Sequence, residues 1–229
     1  MKTVILPLLL LALFCCKNPD PNLVQTKFER ILEDTANNRR AKFDFEELAH
    51  YNNICKAIGL NRLYDGSDSL EIRVWRQFSV FGMAADEEIY SLKILDSTVS
   101  LSFYRVYCTK ENYDKDNFGN QNPFTQPKID SFLAISKTFS TKIVDSIDLL
   151  NLWNLKTLSA LNISDSIGFL DGTTTSIELA SKSKYKLIRY HVAYAYYEKT
   201  RLNDIKTYID EYDKLIRLFQ KNKIYALNY

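Results

Sequence analysis

Six glycines and five prolines in 229 residues leave little room for a phosphate-cradling loop. No G-x-S-x-G, P-loop or G-x-G-x-x-G occurs, so the familiar nucleophile-elbow and nucleotide signatures are excluded. The two histidines, His50 and His191, stand alone without HxxH, CxxC or HExxH spacing, and no metal or other cofactor is expected. A charge of one sign is missing too. Thirty Lys and Arg balance 28 Asp and Glu for a net +2, interspersed along the chain, which gives no electrostatic footprint for nucleic acid. The one long apolar run, Val4 to Phe14, rises about 16 Å as a helix against a hydrocarbon core of about 30 Å. It is too short to span a bilayer and has the length of a signal-peptide core.

What is present is an ordinary globular composition, 46% hydrophobic and 25% charged, with an unusual aromatic load of 15 Tyr and 13 Phe. Behind the apolar run comes Leu13-Phe14-Cys15-Cys16, with no A-x-A cleavage pattern. A cysteine directly after such a run resembles the lipobox of bacterial lipoproteins, in which the first mature residue is a lipidated Cys. Cys16 fits better than Cys15, because the cut then follows the small Cys15 and not the bulky Phe14. The resemblance covers residues 1–17 and implies a signal peptide over 1–15, a lipidated tether over 16–22 and attachment to the membrane of a bacterial cell envelope. Lys17 is not the Asp that marks inner-membrane retention in that family, so the resemblance favours the outer membrane. Two or three acyl chains make such anchoring effectively stable.

Residues 23–229 read as a single α+β domain, an antiparallel sheet of about six strands with helices packed mainly on one face. Val24, Phe28, Ile31 and Leu32 predict a helix over 22–37. Leu48, Tyr51, Cys55 and Ile58 share a face of a second helix, ended by Gly59. Alternation over 70–78 predicts a half-buried strand, with Glu71, Arg73, Trp75 and Gln77 on its wet side. Strands over 88–95 and 98–108 follow, then a polar loop over 109–128 and another strand over 132–143. Asp145 is placed to cap a strongly apolar helix running to Leu161, the expected centre of the packing. Strands over 174–180 and 184–197 form a hairpin, and a clean apolar stripe from Ile205 to Phe219 marks the last helix, capped by Asn203 or Asp204.

No constellation commits the domain to catalysis. His50 and Cys55 lie about 140° apart on one helix and do not face each other. Arg189 and His191, with Glu178 across the hairpin, read as exposed cross-strand pairs. Asp114, Asp116 and Gly119 fit the start of an EF-hand loop, but Thr125 stands where its bidentate acid belongs. Beyond the leader, Cys55 and Cys108 are an even pair. A disulfide between them would close about 54 residues and contribute roughly 4 kcal/mol, while both also read as buried free thiols. The Tyr-rich strand offers a candidate binding surface of Arg189, His191, Tyr194, Tyr196 and Tyr197. The expected function is a non-enzymatic envelope lipoprotein that binds a protein or cell-envelope component. The alternative is an extracytoplasmic hydrolase acting through dispersed carboxylates.

Overall fold

The structure, a computed structural model, describes residues 27–36, 38–77, 86–109, 128–164, 166–169 and 172–225. The leader with Cys16, the tether and the loop residues 110–127 lie outside these. The described residues build one seven-stranded sheet in the order β1-β7-β6-β2-β3-β4-β5. Its strands are β1 (Glu29–Ile31), β2 (Leu70–Gln77), β3 (Glu87–Ile94), β4 (Thr98–Thr109), β5 (Lys128–Ser140), β6 (Thr174–Ala180) and β7 (Lys184–His191). Every neighbouring pair is antiparallel except β1 with β7. The α+β class holds, with seven strands in a mixed sheet where about six antiparallel ones were expected.

Four helices pack against this sheet among the described residues: α1 (Arg39–Ile58), α2 (Leu149–Asn154), α3 (Ala193–Thr200) and α4 (Asn203–Lys221). Three lie on one face, but the longest, α1, covers the other. Strand alternation feeds both layers. Ile72, Val74, Leu92, Leu101, Phe103, Ile177 and Ile188 meet α4, while Trp75, Ile89, Val106, Ala180, Tyr185 and Leu187 meet α1. A face read as wet is therefore buried. Helix α1 starts at Asn38, whose side chain accepts from the Ala41 N–H at 3.1 Å, and stops at Gly59, held at φ 76° with its N–H on the Cys55 carbonyl. Its expected stripe and cap are both found. Helix α4 buries the expected stripe from Ile205 to Phe219, although the residue before it is Leu202, which makes no side-chain cap.

Three expected elements change. Within the first predicted helix, of which residues 27–36 are described, Glu29–Ile31 form a short strand instead, on backbone partners from the edge of β7: the Glu29 N–H donates to the Ser183 carbonyl at 2.9 Å. The long apolar helix after Asp145 shrinks to six residues capped by Asp148, whose carboxylate accepts from the Asn151 N–H at 3.0 Å. Beyond it, Leu155 is extended, and Thr157 spends its hydroxyl on the Arg189 backbone, accepting from N–H at 3.0 Å and donating to C=O at 3.2 Å. A tertiary partner has replaced the helical one. The last change is at β7, which ends at His191. Val192 turns left-handed at φ 42°, and residues 193–200 coil into α3. Gly172 makes this corner passable, since a Cβ there would sit 1.9 Å from Val192 Cγ1.

Candidate functional site: the polar layer beneath α1

The face under α1 carries an uncommon density of buried charge. Glu71, Arg73, Trp75 and Gln77 alternate along β2, with Ser176 and Glu178 opposite them on β6. At the centre, Glu178 is 1% exposed and accepts from Trp75 Nε1 at 2.6 Å on one oxygen and from the Tyr185 hydroxyl at 2.7 Å on the other. Arg73, directly across from it, donates through Nε and Nη2 to Glu71 Oε1 at 2.9 and 2.6 Å. Its Nη1 reaches the Asn61 carbonyl at 2.7 Å and Cys55 Sγ at 3.1 Å, and Ser91 gives Glu71 a further bond at 3.1 Å. Burial pushes the Glu178 carboxyl upward, against the lowering effect of Arg73, Tyr185 and Trp75. The Tyr51 ring stacks on Trp75 at 4.1 Å between centroids, and its hydroxyl donates to Ser176 Oγ at 2.8 Å.

A second group lies under the N-terminal half of α1. Asp44 and Glu47, one turn apart, both face Arg189 of β7, at 3.7 and 3.3 Å. Gln77 donates to Glu47 at 2.9 Å, Ser159 donates a short bond to Asp44, and the Thr157 hydroxyl, whose one proton is shared with the Arg189 carbonyl, stands 3.4 Å from the same carboxylate. His50 pairs with Glu87 at the start of β3. Burial pushes the Asp44 carboxyl up to about 6, while Ser159, Arg189 and Thr157 act to lower it. Two buried atoms here, Glu87 Oε2 and Arg189 Nε, have no hydrogen-bond partner among the described residues.

The chemistry open to this layer depends on access. Asp44 reaches a cavity of about 90 Å³, shared with Phe45, Thr157 and Lys186. The larger recess, about 980 Å³ and shallow, lies at the other end of α1 among Lys56, Arg62, Asp65, Asp68, Lys93 and Lys182. Glu71 and Asn61 are the members of the central network that line it. Among the described residues no three His, Cys, Asp or Glu side chains are grouped to hold a metal ion.

Asp44 gives a pH prediction. Its folded value near 6 stands above the ordinary 3.8, so the folded state binds this proton more tightly than the unfolded chain does. The stabilisation is fully present below about pH 4 and lost as pH rises through 6, a swing of about 3 kcal/mol at most. Urea unfolding at pH 4 and pH 7 reads it. Asp44→Asn should remove that share of the pH dependence, and identical pH slopes in the two proteins would refute the placement.

The residues singled out in the sequence are dispersed. Arg189 belongs to the cluster, and His191 Nδ1 lies 3.1 Å from Thr174 Oγ1 on the same face. The tyrosines leave the strand altogether. Tyr194 donates to Asp213 at 2.8 Å from α3, Tyr196 is buried with its hydroxyl on the Ile167 carbonyl, and Tyr197 lies under the Arg201 guanidinium at 5.3 Å. The continuous surface Arg189-His191-Tyr194-Tyr196-Tyr197 therefore does not form, because the chain turns at Val192. Glu178, expected on an exposed pair, is sealed in. His50 and Cys55 part as expected, toward Glu87 and Arg73. Cys55 and Cys108 are both buried free thiols, each pushed by burial up to about 12, and the disulfide between them is not made. The loop residues Asp114, Asp116 and Gly119 lie outside the described residues.

Sequence reasoning missed Asp44, Glu71, Glu87 and Trp75. One signal was available: a tryptophan among the supposedly wet positions of β2 is a poor fit to solvent, and it marks that face as covered. Comparisons with protein-family models, with curated proteins and with solved structures give no match.

Proposed function

We propose that this chain is an envelope lipoprotein anchored through Cys16, with a binding or structural role in place of a catalytic one. The leader supports the anchor: a short apolar run too brief to span, then a cysteine in the register described above. One observation favours binding over catalysis. The carboxylates at the centre of the polar layer already have partners within the fold, with Glu178 held on both oxygens and Glu71 held by Arg73 and Ser91. Groups tied in this way brace neighbouring strands beneath α1 and are not presented to a substrate. Among the described residues no helix is long and apolar enough to cross a membrane.

Metabolic labelling with a palmitate analogue in a bacterial host tests the anchor. Label should enter the wild-type chain and be lost in Cys16→Ala; label persisting in that variant sinks the assignment. The hydrolase alternative draws on Asp44, whose carboxyl near 6 is poised to exchange a proton and borders a cavity. Hydrolysis of cell-wall or ester substrates by the wild type, abolished in Asp44→Asn, would decide for it.

A further inference from the structure

One end of the sheet gathers the start of β2, the turn between β3 and β4, the tip of the β6–β7 hairpin and the C-terminus of α1. The shallow recess of about 980 Å³ opens here, with Lys56, Arg62, Lys93 and Lys182 in its lining. Of the acids beside them, Asp65 accepts from Arg62 Nε at 2.8 Å, and Glu71 is held by Arg73. Lys56, Lys93 and Lys182 make no ion pair among the described residues, which leaves three lysines to one acid, Asp68. Outside the recess Lys27, Arg30 and Lys184 stand against Glu29 and Asp96, so the sign at this end stays positive. Leu95, 43% exposed, sits in the β3–β4 turn at the same end.

The N-terminal chain enters the fold at the rim of that recess. Phe28 packs so closely on Gly66, a lining residue, that a Cβ there would meet Phe28 Cε2 at 2.8 Å. Arg30 donates through Nε to the Tyr64 carbonyl at 3.2 Å and lies over the Phe28 and Tyr64 rings. The Glu29 N–H on the Ser183 carbonyl and the Ser67 N–H on the Ser181 carbonyl tie the same corner. From Cys16 to Lys27 the chain advances eleven residues, a reach of at most about 40 Å.

We infer that this end of the sheet is the membrane-facing surface of the protein, with the recess taking the phosphate headgroups of anionic lipid in the bilayer that holds Cys16. The anchor proposed above is a premise here, and the charged end adds an orientation that the leader alone does not give. A chain leaving from the opposite end would hold these cations away from the bilayer. Leaving from the recess rim, it presents them to it. Attraction between exposed charges fades over about 8 Å at physiological salt, so a surface must be brought that close to count. The short tether supplies nearness, the lysines supply attraction, and Leu95 adds an apolar side chain at the headgroups. A soluble acidic protein would meet the same lysines, but nothing in the fold directs it to this end. The lipid surface is delivered there by the chain itself.

The full chain, reconstituted with vesicles of phosphatidylcholine alone or of equal parts phosphatidylcholine and phosphatidylglycerol, tests the surface. Flotation with phosphatidylcholine alone reads the anchor, and what phosphatidylglycerol adds reads the charged end, so the two fail separately. A fluorophore on Ser97→Cys, exposed in the β3–β4 turn, should be quenched more strongly by a lipid-borne quencher in the anionic vesicles. One on Glu198→Cys of α3, which follows the far end of β7, should show no such excess. The buried Cys55 and Cys108 stay in place. The excess at Ser97 should be lost when Lys56→Glu, Lys93→Glu and Lys182→Glu are combined. With no substitution at all, it should also be lost at about 1 M salt, where screening shortens to about 3 Å. Equal quenching at the two sites overturns the inference, as does an excess indifferent to charge reversal and to salt. Glycerol phosphate binding in the recess without any excess at Ser97 would make it a site for a free phosphate and overturn the membrane assignment.

Discussion

Arg73→Met lowers the unfolding free energy by about 3–5 kcal/mol at neutral pH. Arg73 is 2% exposed and is the cation between two buried acids, Glu71 bonded to it and Glu178 directly across the ladder. Methionine fills much of the same volume, so the loss reads uncompensated charge and not a cavity. The sign with pH follows. Without the guanidinium the Glu178 carboxyl, already pushed upward by burial, binds its proton more tightly in the folded state, and the deficit should shrink as pH falls from 7 to 5. Adding Glu71→Gln should recover about 1–2 kcal/mol of it. Urea unfolding of the three proteins at both pH values measures this. A deficit under about 1 kcal/mol, equal at the two pH values, would mean that Arg73 does not compensate these buried acids.

Trp75→Ala should cost about 3–5 kcal/mol. The indole is fully buried, stacked on Tyr51, and donates to Glu178, so three losses coincide: apolar burial, the ring stack and a bond to a buried carboxyl. Trp75→Phe separates them. Phenylalanine keeps a ring beneath Tyr51 and drops only the donor and some volume, for an expected cost of about 1–2 kcal/mol. Denaturant titration followed by circular dichroism suits both variants, because it does not depend on the tryptophan being removed. Equal costs for Ala and Phe would show that the bond to Glu178, and not the packing, carries the contribution.

How much of this was legible follows from the range of each signal. Local patterns survive where the element's own residues supply its partners. Gly59 closes α1 and the stripe of α4 buries as read, because a cap and an amphipathic face are decided within a few turns. The β2–β3–β4 meander is likewise visible through its short connections and alternation. The misreadings fall where a distant strand or side chain competes. Residues 29–31 take their backbone partners from β7, about 150 positions away in sequence, and Thr157 leaves its helix for Arg189. At Val192 one left-handed residue turns a tyrosine alternation into a helix, and a period-two pattern of so few residues cannot register that.

The α+β class, the glycine end of α1 and the buried face of α4 are legible in the chain alone, as are the grounds for the proposed leader and for Cys16. All of these are written in neighbouring residues. Only the tertiary structure decided that Glu71, Arg73, Trp75 and Glu178 lie inside. Charge on alternate strand positions says which side a residue takes but not what comes to cover that side. Here α1, which nothing in β2 but the lone Trp75 announces, lies across it and turns an apparent solvent face into a buried, hydrogen-bonded layer.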